Sequence, residues 1–165
     1  MISVDLDEVR FPDETIGELE MVRHSGASAV VPLLDRGREL QVVLVRQYRY
    51  AADGYIYEIP AGRLAPGETP ESCASRELKE ETGYSAGGFR KLTTIYTTPG
   101  FTDERIHLFV AERLTPGKPA HEPDEFLELH LVSLSEAVDM VKAGKVVDAK
   151  TCIALLLAES VLDSQ

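Results

Sequence analysis

The segment 70–82 is the helix with the clearest boundaries in this sequence, and its place among strands constrains the fold most. Thr69 followed by Pro70 is typical of an N-cap with proline at the first helical position, and Gly83 suits the left-handed residue that ends a helix. Strand-like segments lie on both sides, whereas two further helices are predicted only near the C-terminus. One helix among early strands favours a mixed sheet between helices over a regular doubly wound sheet.

The strands are predicted from apolar runs or alternation over strand lengths. They fall at 26–34, 39–48, 54–60, 91–98, 105–114 and 126–134. The first two flank the turn "DRGR" and are expected to form a hairpin. Ser133 and Glu136 predict a capping box for a helix over 134–143, and Asp148 is placed to cap a last helix. The chain therefore predicts an α+β fold.

Composition narrows the classes of partner. The 165 residues are 44% hydrophobic, enough for one core, and their net charge of -11 argues against a nucleic acid or an anionic membrane. A nucleotide-like substrate is still allowed, because metal ions and local arginines can reverse the field in one cleft. The N-terminus is acidic where a signal peptide needs an apolar core, and the longest apolar run is too short to span a bilayer. We expect a cytoplasmic protein.

Three glutamates crowd one side of the predicted helix. Glu77, Glu80 and Glu81 lie within an arc of about 100° that borders the buried face. Like charges one turn apart destabilise a helix, whereas carboxylates at this density suit a hard divalent cation such as Mg²⁺ or Mn²⁺. An isolated E-x-x-E-E is nevertheless more often a solvated face, paired here with Arg76 and Lys79.

The residues around the glutamates favour the metal interpretation. Gly62 is followed after five residues by Glu68, and after seven more by "RELKEETGY", residues 76–84. This pattern resembles the signature of the Nudix hydrolases at every fixed position, with Tyr84 where the family more often has an aliphatic residue. The resemblance implies an α/β/α sandwich whose signature forms a loop–helix–loop. It also implies hydrolysis of a nucleoside diphosphate linked to another group, using Mg²⁺ or Mn²⁺.

The resemblance assigns roles residue by residue. The family's metal ligands, for two or more ions per site, correspond to the backbone carbonyl of Ala61 and to the side chains of Glu77, Glu80 and Glu81. Glu68 and Arg76 correspond to the pair that holds the loop against the helix. Glu81, Glu68 and Arg76 are therefore also expected to be catalytically required.

Segments outside the signature resemble the ADP-ribose pyrophosphatase branch. They are "LVRQYRYAADGYIYEIPAG" (44–62), Pro99 at sixteen residues after Gly83, and "GKVVDAKTCIALLLA" (144–158). The resemblance implies hydrolysis of ADP-ribose to AMP and ribose 5-phosphate. Nucleotide-sugar hydrolases share several of these features, so GDP-mannose or another nucleotide sugar is an alternative substrate. A non-catalytic nucleotide-sugar sensor is the alternative from another class, although a sensor has no need for the complete signature.

Substrate contacts are expected from residues on both sides of the helix. Arg46 and Arg49 offer planar donors for phosphate or a nucleobase edge. Glu58 is a candidate acceptor for ribose hydroxyls or an adenine amine, or else a strand-end charge paired with Arg46. Gly100 and Phe101 are expected to form a substrate loop.

The general base is expected in the acidic loop 121–129. Glu122, Asp124 and Glu125 are the candidates, and Glu125 best matches the branch pattern. A loop carboxylate of this kind acts when bound substrate closes the loop. A solvated acidic turn explains any single one of the three equally well.

Residues 1–25 are expected to form a β-rich element ahead of a Nudix domain at 26–165. The element has too little core of its own, and the resembled branch often pairs through such strands. We therefore expect a homodimer, with substrate-binding residues acting across the interface.

Overall fold

The computed structural model describes residues 3–37, 39–119 and 127–162. In chain order, the elements are β1 (Ser3–Arg10), β2 (Ile16–Arg23), β3 (Ala27–Asp35), β4 (Leu40–Arg49), a 3-10 turn (Tyr50–Ala52), β5 (Gly54–Glu58), β6 (Ala61–Arg63), α1 (Pro70–Thr82), β7 (Ser85–Tyr96), β8 (Arg105–Thr115), β9 (Leu127–Ser133), α2 (Leu134–Lys142) and α3 (Ala149–Leu162). The predicted α+β class is confirmed.

The main sheet is mixed, as predicted. Its strand order is β5-β4-β3-β8-β7, with β6 paired to β3 and β9 paired to β4. The central strands β3 and β8 run parallel, and the other pairs are antiparallel. Parallel central strands are covered on both faces, which explains why β3 is a continuous apolar run and is buried over eight of its nine residues.

Helices cover both faces of this sheet. Val30 packs with Leu78 of α1, whereas Val31 packs with Val138 of α2 and Leu155 of α3. Because successive residues of a strand point to opposite faces, α1 lies on one side of the sheet and α2 with α3 on the other. The expected α/β/α sandwich is confirmed.

Strand β7 begins six residues earlier than predicted. The apolar run predicted the strand over 91–98, and Gly87 and Gly88 just before it are residues that weaken strands. In the structure, β7 pairs with β8 from Ser85 opposite Thr115, and the Arg113 side chain packs over both glycines and donates to the Gly87 carbonyl. Long-range pairing therefore outweighs local propensity here. The three-residue strand β6 is too short to show a periodicity and was not predicted.

The N-terminal element is a β-hairpin separate from the main sheet. Strands β1 and β2 pair antiparallel from Ser3 opposite Arg23 to Arg10 opposite Ile16. The expected β-rich N-terminal element is confirmed. The hairpin meets the main domain at the loop between β7 and β8, through a parallel bridge between Val22 and Thr102.

Candidate active site

Helix α1 carries the signature glutamates along the edge of its buried face. Thr69 Oγ1 accepts the Ser72 N–H at 3.2 Å, and Gly83 ends the helix at a φ of 76°, so both predicted caps are present. Glu77 and Glu81 are only 7% and 3% exposed. Buried carboxylates are costly unless cations or donors surround them, so their surroundings determine what the site can do.

Arg76 supplies positive charge to these carboxylates. Its Nη1 donates to Glu77 Oε1 at 2.6 Å and to Glu80 Oε2 at 3.0 Å. Its Nε and Nη2 donate to the two oxygens of Glu68 at 3.0 and 3.1 Å, and Nη2 also donates to the Arg63 carbonyl at 3.1 Å. One guanidinium therefore links α1 to β6 and to the loop that precedes the helix. The structure brings together Glu68 and Arg76, the pair expected to hold this loop.

The bonds of Arg76 keep Glu68 ionised. The Arg76 hydrogen bonds, helped by the Ala65 N–H at 2.9 Å, lower the pKa of Glu68 to about 2. Bonding to Glu68 in turn raises the pKa of Arg76. The nearby Cys73 thiol lies against the carbonyls of Gly62 and Arg63, and burial raises its pKa to about 11, so it is not a nucleophile near neutral pH.

Strand β6 brings backbone atoms against the buried glutamates. The Ala61 N–H donates to Glu81 Oε1 at 3.4 Å. A Cβ at Gly62 would overlap the carboxylate of Glu77, so a residue without a side chain is needed there. Ala61, Gly62, Glu77 and Glu81 thus form an oxygen-rich corner where the signature loop meets its helix.

The chemistry of this corner fits a divalent cation of the hard class, because its donors are carboxylate and carbonyl oxygens. Within the described residues, no three carboxylate, imidazole or thiol groups converge as a ready-formed metal centre. Arg76 lies between Glu77 and Glu80 and supplies the charge that a bound cation would supply instead. The roles of Glu77, Glu80 and Glu81 as metal ligands stay a prediction.

A cavity of about 730 Å³ opens beside the oxygen-rich corner. Its lining includes residues from β6, from the loop after β7 and from the start of α3, namely Ala61, Gly62, Arg63, Thr97, Thr98, Glu104, Asp148 and Lys150, together with Arg49. A larger groove of about 1010 Å³ lies along α1 past Arg76, Lys79 and Glu80, and no residue of β6 lines it. The smaller cavity is the better candidate for substrate, because its lining combines Ala61 and Gly62 of the oxygen-rich corner with the cationic side chains of Arg49 and Lys150.

Glu58 holds two cations at this cavity. Arg49 donates to it from Nε at 2.6 Å and from Nη2 at 2.9 Å, and Lys150 Nζ lies 2.6 Å from the same carboxylate. Glu58 is 2% exposed, and burial raises its pKa, but the bonds from Arg49 and Lys150 outweigh burial and lower it. The alternative that Glu58 pairs with Arg46 is wrong. Its oxygens already accept three bonds, which leaves little capacity for ribose or adenine.

Lys150 is a site residue that sequence reasoning missed. Its ammonium group also lies 3.0 Å from Asp148, and its side chain is 12% exposed. The only local signal was its place in "DAKT", just after the residue that caps α3. Its partner Glu58 lies 92 residues away along the chain, so no spacing rule joined them.

The two arginines predicted to act together are separated. Arg49 lines the cavity, whereas Arg46 Nη1 bonds Glu128 at 3.2 Å and its guanidinium lies 4.5 Å from the centre of the Tyr55 ring. Residues three apart on a strand point to opposite faces, which explains the separation. The structure does not bring Arg46 into this cavity.

The predicted substrate loop lies at the cavity, but its tip points outward. The loop 97–104 contributes Thr97, Thr98 and Glu104 to the lining. Phe101 is 52% exposed, and neither it nor Gly100 is among the lining residues. The base candidates Glu122, Asp124 and Glu125 lie outside the described residues.

Comparison with known proteins identifies the family. Residues 23–155 match the model of the NUDIX domain, and the chain belongs to the NUDIX family. It is 41% identical over 157 residues to an ADP-ribose pyrophosphatase of Bacillus subtilis (strain 168), covering 94% of this chain and 83% of the relative. It is 36% identical over 165 residues to a GDP-mannose pyrophosphatase of Shigella flexneri serotype 5b (strain 8401), covering 93% and 84%.

A solved structure described as an ADP compounds hydrolase shares the fold, with a TM-score of 0.86 at 24% identity over 100% of this chain and 88% of that one. The predicted Nudix resemblance and hydrolase class are therefore confirmed. Nudix hydrolases generally use divalent metal ions, in agreement with the oxygen donors of the corner.

Proposed function

We propose that this chain hydrolyses the pyrophosphate bond of ADP-ribose, giving AMP and ribose 5-phosphate. One observation carries the proposal: a single cavity joins Ala61 and Gly62, which border the buried glutamates, with Arg49 and Lys150. The oxygen-rich corner offers ligands for a metal ion, and the neighbouring cations offer donors for phosphate. A dianionic pyrophosphate requires both. The name of the Bacillus subtilis relative supports the choice of substrate.

The metal ligands that we propose are Glu77, Glu80, Glu81 and the carbonyl of Ala61, with Mg²⁺ as the ion and Mn²⁺ as a substitute, two or more per site. A divalent cation held by these residues would neutralise the pyrophosphate charge and lower the pKa of the attacking water. Arg76 keeps its bonds to Glu68 and the Arg63 carbonyl, and so holds loop and helix together, whichever partner Glu77 and Glu80 take.

The substrate's phosphates are proposed to lie against Arg49 and Lys150. Glu58 fixes the direction of the Arg49 guanidinium through two bonds, so less conformational entropy is lost when phosphate binds. Gly100 and Phe101 remain proposed substrate contacts at the tip of the loop. Arg46 remains a proposed substrate contact that acts across a subunit interface. Glu125 remains the proposed general base.

A product analysis tests this function. The purified protein is incubated with Mg²⁺ and, separately, with ADP-ribose, GDP-mannose, UDP-glucose, NADH and diadenosine polyphosphates. We expect AMP and ribose 5-phosphate from ADP-ribose to dominate, and chelation of the metal to stop the reaction. Faster release of products from GDP-mannose would favour the alternative substrate, and no hydrolysis of any compound would favour a non-catalytic sensor.

We also propose that residues 1–25 pair two copies of the chain, while 26–165 form the hydrolase domain. Val4, Leu6 and Ile16 of the hairpin are 70%, 63% and 62% exposed. A two-stranded ribbon is only marginally stable alone, and its exposed apolar side chains suit burial against a second copy.

Analytical ultracentrifugation tests the dimer. We expect a species of twice the 18.2 kDa chain mass at micromolar concentration. Leu6→Glu is expected to shift it to monomer, because a carboxylate would be buried at the interface. Glu8→Gln is the control, because Glu8 lies on the same face as Leu6 and the change removes a charge there rather than adding one. An 18.2 kDa wild-type species would contradict the proposal.

None of the helices in the described part of the chain is long and apolar enough to cross a bilayer. The cytoplasmic location expected from the sequence remains a proposal. So does the expectation that no nucleic acid binds, which rests on the net charge of -11. Cell fractionation followed by immunodetection tests the location.

A further inference from the structure

The N-terminal hairpin is bonded to the loop that forms one wall of the cavity. The Val22 N–H donates to the Phe101 carbonyl at 2.7 Å. The Val22 carbonyl accepts from Thr102 Oγ1 at 2.9 Å and from the Asp103 N–H at 3.4 Å. Strand β2 therefore uses its outer edge to hold the loop 97–104.

Arg23 reinforces this attachment electrostatically. Its Nε donates to Asp5 at 3.1 Å and its Nη2 donates to Asp7, both in strand β1. Its Nη1 donates to Asp103 of the loop at 3.4 Å. One cation thus stands among three carboxylates, two from the hairpin and one from the loop. Without it, like charges would push the loop and hairpin apart.

The other oxygen of Asp103 accepts the His24 N–H at 2.8 Å. Asp103 therefore joins the loop to the chain just after β2 by one ionic and one backbone contact. The His24 ring is largely buried, and its Nδ1 accepts the Gly26 N–H at 3.1 Å. The segment 24–26, which Asp103 contacts through His24, leads directly into β3 in the middle of the main sheet.

The loop is compact enough to transmit a displacement to the cavity. Thr98 accepts backbone bonds from Phe101 at 3.1 Å and from Thr102 at 3.2 Å. Thr97 Oγ1 donates to Glu104 at 2.9 Å. Thr97, Thr98 and Glu104 are the loop residues that line the cavity together with Arg49 and Lys150, so movement of the attached side of the loop would reshape that wall.

We propose that Arg23 and Asp103 are positioning residues: their contact fixes the loop 97–104 as a wall of the substrate cavity, so the hairpin controls substrate affinity. The contacts between hairpin and loop do not depend on which substrate binds, whereas the identity of the substrate rests on the proposed function. Neither Arg23 nor Asp103 contacts the oxygen-rich corner. Their replacement should therefore weaken substrate binding and leave the chemical step unchanged.

Hydrogen–deuterium exchange on the protein without substrate tests the attachment. Arg23→Ala is expected to speed exchange of the Val22, His24 and Asp103 amides by about fivefold or more, because their bonds join the parts that would separate. The amides of α1 should be unchanged. Arg10→Ala is the matched control, since Arg10 pairs with Glu14 within the same hairpin and does not contact the loop. Equal exchange at these amides in the two variants would overturn the proposal.

A second variant separates charge repulsion from lost packing. Asp103→Asn keeps an oxygen that accepts the His24 N–H but removes the charge that Arg23 compensates. In the Arg23→Ala/Asp103→Asn double variant, repulsion between loop and hairpin is relieved, so exchange should return about halfway to the wild-type rate. Exchange as fast as in Arg23→Ala alone would overturn the electrostatic argument.

Kinetics then test the link to substrate. For the substrate found in the product analysis, Arg23→Ala should raise KM about fivefold with kcat within about twofold, and Arg10→Ala should change neither. A fall in kcat with unchanged KM would overturn the role in substrate affinity. If no nucleotide sugar is hydrolysed by wild type, the proposed function fails while the exchange experiment still decides the attachment.

Discussion

Replacing Glu81 by glutamine is expected to reduce kcat by at least about 10³-fold, which corresponds to roughly 4 kcal/mol of transition-state stabilisation. Glutamine has the same shape and keeps an oxygen for the Ala61 N–H, which lies 3.4 Å from Glu81 in the structure. It lacks the negative charge that a divalent ion requires. Because Glu81 is 3% exposed, a neutral amide is no costlier to bury than a carboxylate, so the fold should survive.

The measurement is steady-state hydrolysis of ADP-ribose with saturating Mg²⁺, accompanied by circular dichroism and a thermal melt. Glu71→Gln is the matched control, because Glu71 is an exposed glutamate of the first turn of the same helix. It loses the same charge away from the corner and should retain kcat within about twofold. Turnover by Glu81→Gln near the wild-type rate would refute the proposed metal site.

What the sequence could predict about the site was local. The boundaries of α1 follow from Thr69, Pro70 and Gly83, whose cap geometry depends on neighbouring residues only. The pairing of Glu68 with Arg76 also spans only eight residues, and the signature encodes it through a fixed spacing. The position of Glu77 and Glu81 at the buried face likewise follows from helical periodicity.

What it could not predict depends on contacts between distant segments. Lys150 reaches Glu58 only because α3 and β5 meet at one end of the sheet. The separation of Arg46 from Arg49 was accessible in principle, because the two-residue period of a strand places them on opposite faces. The contact between Arg23 and Asp103 could not be predicted, because these residues lie 80 positions apart in the sequence and meet only in the folded chain.

Replacing Glu58 by glutamine is expected to lower the free energy of unfolding by about 3 kcal/mol, because it removes the buried carboxylate that pairs with Arg49 and leaves Lys150 with Asp148 alone. Glu58 is 2% exposed and Lys150 is 12% exposed at its side chain, so little water replaces the lost charge. Arg49 is 42% exposed and can turn to solvent, which places the loss at the lower end of the usual range for buried pairs. For a chain of this length the expected fall in Tm is about 6–12 °C.

Glu128→Gln is the matched control for this change. Glu128 also pairs with an arginine of β4, Arg46, but its side chain is 61% exposed. Its loss should cost less than about 1 kcal/mol, because water screens an exposed pair. Urea unfolding of both variants gives the comparison, and equal losses would contradict the assignment of Glu58 as the buried centre of the cationic cluster.

The same ion pair predicts a pH dependence. Because the folded-state pKa of Glu58 is lowered, its stabilisation is complete above the unfolded pKa of about 4.3 and is lost as pH falls through the folded value. Wild type should therefore lose more stability than Glu58→Gln between neutral pH and the acid side of that range, and the two unfolding free energies should converge. A constant difference between them at every pH would mean that Glu58 stabilises the fold through packing rather than through its charge.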